Sequence, residues 1–306
     1  MPLPPMHENQ VPIDEGLVRR LLAEQLPGEA DLSLAAVESS GTVNALYRLG
    51  RDRVVRLPLV DHDPGEIARD RTWLPRLARH LPLAVPEQLA VGEPACGYPW
   101  RWAVYRWLDG ADATHAPLRD EVEAARDLAA FVLALRRVDT TGGPRPGPPN
   151  YGRGAPLLPF DAPVRRSLAQ LDEIGGLVDT GAAAAAWDAA VGAAVWTGAP
   201  VWVHGDLMPG NLLVVDGRIT AVIDWGALGV GDPACDLMPA WNLFSAEGRQ
   251  AYRTALDVDA AAWQRGRGWA LLQAVMALPY YLDTNPGMVA VARRTLAEVL
   301  SEPPPS

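Results

Sequence analysis

VWVHGDLMPGNLLVVDGRITAVIDWGALGVGDPACDL, residues 201–237, holds two apolar, β-branched runs, LLVV and RITAVI, on either side of Asp216-Gly217. An Asp-Gly pair between such runs predicts a two-residue hairpin, because both turn positions tolerate a left-handed backbone. Cross-strand partners in such a hairpin keep a constant index sum, so Val215 opposite Arg218 sets Asn211 opposite Val222. Asp224, two residues beyond, then shares a face with Asn211 by period-two alternation. An amide oxygen and a carboxylate meet at the open end, roughly 8 Å apart at Cα for a diagonal pair. Asp206, on the loop that leads into the hairpin, can add a third oxygen ligand or a base. Such hard donors suit Mg²⁺, which keeps several waters and is held by one or two carboxylates plus substrate phosphates. The set points to phosphoryl transfer, whose loose transition state demands positioning and charge neutralisation. Asp232-Pro233 reads as a helix N-cap and N1 proline. Asp236, in the turns that follow, reads as a carboxylate favoured by the helix dipole. Both are assigned to scaffold support.

His204-Gly205-Asp206, Asn211 and Ile223-Asp224-Trp225-Gly226 resemble the HGDxxxxN and IDxG elements of the aminoglycoside phosphotransferase family, which has a protein-kinase-like fold. Both motifs occur in order, on opposite arms of one hairpin. Weaker similarity extends over nearly the whole chain, including YPWRWAVYRWLDG at 98–110 and YYLDTNP at 280–286. The resemblance implies an α+β, bilobal chain. A small β-rich nucleotide-binding lobe spans 1–108, and a larger, mainly helical lobe for catalysis and acceptor binding spans 109–306. It implies that Asp206 orients the acceptor hydroxyl and takes its proton, that Asn211 and Asp224 ligate Mg²⁺, and that His204 fixes its loop through backbone hydrogen bonds. Ser39, Ser40, Gly41 and Thr42 become the loop over the phosphates of ATP or GTP, although the segment matches neither a P-loop nor GxGxxG. Arg56 stands where most kinase-like enzymes carry lysine, and its planar fork can clamp phosphate oxygens. Its acidic partner is Asp70 or Glu66, one turn apart on the following helix. Tyr105-Arg106-Trp107-Leu108 resembles the inter-lobe hinge, with the main chain of Arg106 and Leu108 at the purine edge and Tyr105 behind the base.

Around these motifs the chain reads in alternating elements. Val43, Ala45, Tyr47 and Leu49 alternate along a strand, a turn follows at Gly50–Asp52, and RVVRLPLV returns. A helix is expected from about Glu66 to His80, kinked or split at Pro75. A third strand lies in 100–108. Leu128, Phe131, Val132 and Leu135 fall at i, i+3, i+4 and i+7 within an amphipathic helix over 119–138. The turn-rich segment 141–154 is a mobile flap or a surface connection, and the Ala-rich 182–197 is a helix by propensity. Tyr281 and Asp283 are the candidate acceptor contacts. Tyr280, Asn285, Trp241 and Trp269 are possible companions for stacking against a hydroxylated amine.

The 306 residues suit two lobes. Net charge is −10, which argues against nucleic-acid and anionic-membrane surfaces and leans toward cationic small molecules. The chain has no lysine, so every fixed cation is an arginine. Cys96 and Cys235 have no metal-ligand spacing and read as structural thiols of a reducing compartment. MPLPPMHENQ has neither a basic n-region nor an apolar h-region, so a soluble, cytoplasmic protein is expected. The resulting expectation is a Mg²⁺-dependent O-phosphotransferase acting on a hydroxyl of an aminoglycoside-like or other antibiotic. A kinase for an amino alcohol or a sugar, and a nucleotide-binding protein without catalysis, are the alternatives. A protein kinase is disfavoured because HRD and APE segments are missing. Neither ATP over GTP, nor the acceptor, nor the oligomeric state follows from the sequence.

Overall fold

The computed structural model describes residues 9–37, 43–61 and 65–302. Ser39, Ser40, Gly41 and Thr42, read from the sequence as the phosphate loop, lie outside them. The chain divides into two units, one of residues 1–79 and 84–109, the other of residues 80–83 and 110–306.

In the first unit, strands β1 (Leu34–Ala36), β2 (Asn44–Leu49), β3 (Arg53–Pro58), β4 (Gln88–Gly92) and β5 (Trp102–Arg106) form one sheet in the order β1-β2-β3-β5-β4. All neighbours are antiparallel. Alternation gives the sheet two apolar faces. On one, Tyr47, Leu49, Val55, Leu57, Trp102 and Val104 pack with Leu17, Val18, Leu21 and Leu22 of helix α1 (Glu15–Gln25). On the other, Ala103 and Tyr105 pack with Ile67 of α2 (Glu66–Ala78). Helix α2 runs unbroken through Pro75. The proline removes one amide from the ladder, but Leu74 and Leu77 on either side of it are buried, and their burial holds the last turn.

The second unit carries β6 (Ala111–Asp112), α3 (Glu121–Arg136), α4 (Asp161–Ile174), α5 (Thr180–Gly192), β7 (Val201–Val203), β8 (Leu212–Val215), β9 (Arg218–Val222), β10 (Gly229–Gly231), α6 (Pro239–Asn242), α7 (Ala246–Leu256), α8 (Ala260–Tyr281) and α9 (Pro286–Ser301). The predicted stripe Leu128, Phe131, Val132 and Leu135 of α3 is fully buried. Helix α5 stops at Gly192 rather than near 197, with Ala193 already extended; glycine is the weakest helix former in that run. Helix α8 packs along α9, α5, α4 and the 3₁₀ turn Pro233–Leu237. Strands β6, β8 and β9 make one small sheet, and β7 and β10 another. The Asp216-Gly217 turn has φ of 50° and 75°, as its hairpin demands.

The segment 141–154 is no flap. It is stitched to β10 and the residue after it by Val230 N–H to Pro144 O (2.8 Å) and Asp232 N–H to Gly154 O (2.8 Å). Among the described residues no helix is long and apolar enough to cross a membrane. Cys235 is the buried thiol expected, whereas Cys96 is exposed.

At Gly231 the backbone of the stitched segment comes very close, because a Cβ there would stand 2.3 Å from Gly154 O. That oxygen belongs to backbone and cannot swing aside. Gly231→Ala is therefore expected to destabilise the protein by about 1–3 kcal/mol, the usual range for overpacking. A urea midpoint equal to wild type would show that the approach is not a constraint.

Candidate active site

The hairpin β8–β9 forms with a register one residue away from the simple two-residue count. Val215 faces Arg218 and Val214 faces Ile219, but Leu213 faces Ala221 and Leu212 faces Val222. Thr220 is the extra residue of a bulge, which an index-sum argument has no means of seeing. Asn211 consequently pairs with Ile223, whose N–H donates to Asn211 O at 2.9 Å, and not with Val222. Asp224 follows that pair directly and takes φ 60°, so it leaves the strand in a left-handed conformation and period-two alternation does not set its side chain. Turn chemistry still brings Asn211 and Asp224 to the same open end of the hairpin.

His204, fully buried, ties the preceding loop to this end. Its Nδ1 accepts from Asp206 N–H (3.2 Å), which assigns the proton to Nε2 and makes Nε2 the donor to Ile223 O (3.1 Å). Burial lowers its pKa from 6.5 to about 4, against the opposing pull of Asp224. The ring is thus neutral and acts as a strut. Asp236 holds the same loop from the other side: its Oδ2 accepts from His204 N–H (2.9 Å) and its Oδ1 from Gly205 N–H (2.8 Å). Scaffold support is its role, although through loop amides and not through a helix dipole. Burial pushes the Asp236 carboxyl up to about 6, while the two amides and Arg136 and Arg153 pull the other way. Asp232 caps Ala234 N–H (2.9 Å) as expected and pairs with buried Arg265 (2.7 Å).

The Asp206 carboxylate has donors on both oxygens. Asn211 Nδ2 donates to Asp206 O (2.8 Å) and to Oδ2 (3.0 Å). Gln273 Nε2, from α8, donates to Oδ1 at 2.5 Å. Arg153 Nη2, from the stitched segment, lies 3.8 Å from Oδ1. Sequence reasoning missed Gln273 and Arg153. The signals were slight: a single polar residue in the apolar run 269–282, and an arginine between two glycines in NYGRG.

Metal fit can be judged from the donor set. The Asn211 amide nitrogen is engaged by Asp206, which leaves Oδ1 as its ligand atom, and Asp224 adds a carboxylate. One amide oxygen and one carboxylate match an ion that takes its other ligands from water and phosphate. Among the described residues no three His, Cys, Asp or Glu side chains gather into a closed metal site.

In the first unit, Arg56 pairs with both acids between which the sequence left a choice, Glu66 through Nη2 and Asp70 through Nη1 at 3.4 Å. With its amide turned to satisfy both ends, Asn44 accepts from Arg56 Nε (3.1 Å) and Nη2 (2.9 Å). Tyr105 is buried and donates to Asp70 Oδ2 (2.8 Å). The Arg106 side chain turns outward to Glu87, and its amide is engaged by Glu87 O (2.9 Å). Leu108 lies in the irregular segment after β5. Of the acceptor candidates, Tyr281 is the half-buried last residue of α8 and Asp283 is exposed in the turn beyond it. Asn285 caps α9 through Met288 N–H (3.0 Å). Trp241 and Trp269 are fully buried and have no face to offer a ligand.

The model of the phosphotransferase enzyme family matches residues 36–269. The chain resembles the GDP and kanamycin complex of APH(2")-IIia with a TM-score of 0.71 at 18% identity, over 92% of this chain and 97% of that one. It resembles macrolide 2'-phosphotransferase MphH from Brachybacterium faecium with a TM-score of 0.58 at 26% identity, over 94% and 98%. Over 81 residues it is 35% identical to the uncharacterized protein YcbJ of Bacillus subtilis (strain 168), a match spanning 26% of this chain and 25% of that protein.

His204 and Asp236 have opposite effects on acid stability. Unfolded His204 takes up its proton below pH 6.5 and the folded ring only near 4, so its contribution is complete above 6.5 and is lost as pH falls through 4. Folded Asp236 keeps its proton up to about pH 6, so its contribution falls as pH rises from its ordinary 3.8 toward 6. Near pH 5 the two slopes nearly cancel. Asp236→Asn removes one of them, and unfolding free energy should then fall more steeply with acid, by about 1.4 kcal/mol per pH unit for one proton. Parallel stability–pH curves for the two proteins, from urea titrations, would contradict this.

Proposed function

Because the chain belongs to the phosphotransferase enzyme family, we propose that it moves the γ-phosphoryl group of ATP or GTP onto a hydroxyl of a small molecule, with Mg²⁺ as cofactor. The observation that carries this reading is the Asp206 carboxylate, hydrogen-bonded on both oxygens beside the hairpin end that bears Asn211 and Asp224. Asp206 accepts the proton as the acceptor O–H bond breaks. The new O–P bond forms while the bond to the departing nucleoside diphosphate breaks. Asn211 and Asp224 are the residues that would hold Mg²⁺, which when bound neutralises phosphate charge. Neutral His204 keeps the Asp206 amide in place and takes no part in proton movement.

In the first unit, Arg56 is the phosphate contact of this reading, aimed by Glu66, Asp70 and Asn44. In the same reading Ser39, Ser40, Gly41 and Thr42 are assigned to phosphate binding, and the main chain of Arg106 and Leu108 to the base. The GDP and kanamycin of one structural relative, and the macrolide substrate class named for another, support a nucleotide with a hydroxylated acceptor. This reading assigns Tyr281 and Asp283 to acceptor contact. The wall beside Gln273 joins Met208, Ala270, Ala274, Ala277 and Met288 to the polar Asn242 and Thr295. The two free cysteines accord with a cytoplasmic setting.

Mass spectrometry across aminoglycosides, macrolides, peptide antibiotics, amino alcohols and sugars, with ATP and with GTP, should find an acceptor that gains one phosphate. Asp206→Asn should then bind nucleotide as wild type does and lose about 10²- to 10⁴-fold in turnover, the range for a general base. Wild-type turnover in that variant would falsify the assignment. Asp224→Ala should weaken the dependence of nucleotide binding on Mg²⁺. Identical Mg²⁺ titrations for variant and wild type would remove Asp224 from the metal site.

A further inference from the structure

We infer that Gln273 is a positioning residue that sets the plane of the Asp206 carboxylate, an inference that rests on Asp206 being the base. The terminal torsion of an aspartate joins an sp³ to an sp² carbon and is broad, so rotamer preference alone does not fix where the carboxylate lone pairs point. One hydrogen bond leaves the group free to turn about the bonded oxygen. Two bonds, one to each oxygen, define the plane. Asn211 supplies the first from the hairpin itself, to Oδ2, and Gln273 the second, to Oδ1, from 67 residues further along the chain.

A purely structural role for this glutamine fits poorly with its surroundings. It sits on α8 with Ala270 and Ala274 beside it and Ala277 one turn on, and a buried amide in such a setting costs free energy unless its hydrogen bonds are met. Its Oε1 is buried and has no partner. The hydrogen bond that its side chain does make is the one to the base. Arg153 reinforces the same oxygen: its guanidinium is almost fully buried, with Nη2 3.8 Å from Oδ1, and it lies over Trp269 at 5.2 Å, one helical turn from Gln273. An amide and a cation therefore face Oδ1, while Oδ2 receives one neutral donor. The geometry makes Oδ2 the oxygen that takes the acceptor proton and Oδ1 the oxygen that is held.

The test needs no identified acceptor, because water can serve as one. Phosphate release from MgATP and MgGTP is measured for wild type, Gln273→Met, Asp206→Asn and the double variant. Methionine matches the length of glutamine and has no donor. Gln273→Met should lower kcat by about 10- to 100-fold, the scale of a misplaced reacting group, with the nucleotide KM unchanged. In the Asp206→Asn background it should cause no further loss, since its effect passes through the carboxylate. A wild-type kcat in Gln273→Met overturns the inference and leaves Asp206 as the base. An equal loss in both backgrounds overturns it too, by showing a structural effect. Turnover unaffected by Asp206→Asn defeats the underlying reading and this one with it. Should Gln273→Met unfold, Gln273→Ala, which extends the alanine face of α8, is read by the same criteria.

Discussion

A buried carboxylate from a neighbouring 3₁₀ turn holds the backbone from which Asp206 projects. Asp236 accepts the amides of His204 and Gly205, and its own carbonyl is fixed by the Tyr252 hydroxyl at 2.8 Å. An isolated buried charge would be expensive, and these donors are what make it tolerable. With the amides of 204 and 205 pointed at Asp236, the His204 ring is directed at Ile223 and the Asp206 amide at the ring. The loop and the hairpin are thereby locked to each other before any substrate is considered.

The absence of lysine gives the charge networks a common character. A guanidinium is planar and presents several donors, so one arginine can serve two acids at once. Arg56 does so with Glu66 and Asp70, and Arg249 with Glu298 and Glu302. Arg265 meets both oxygens of Asp232 and also reaches the Ala194 carbonyl. Lysine, a point charge on a flexible stem, would leave part of each set unmatched. The Arg56 network answers why Glu66 and Asp70 were hard to separate from sequence: both are partners.

Much of the second unit was legible in the residues themselves. The Asp216-Gly217 turn, the α3 stripe and the Asp232-Pro233 start all rest on rules that act over a few residues. Helix α1 carries an equally plain pattern, Leu17, Val18, Leu21 and Leu22 behind the Asp14 N-cap. Where local rules failed, a specific event intervened. Thr220 bulged out of the ladder, Asp224 turned left-handed, and Pro75 stayed helical because its neighbours are buried.

Residue identity and spacing alone were enough to place Asp206, Asn211 and Asp224 around one hairpin, since turn type and strand period are short-range properties. They were not enough to say what surrounds the Asp206 carboxylate. Gln273 arrives on a distant helix and Arg153 on a segment that reads as a plain loop, and both reach Asp206 only because α8 packs in the core and Gly231 lets the 141–154 backbone close against β10. Long-range packing has no signature in a local stretch of chain, so those contacts exist only in the folded molecule.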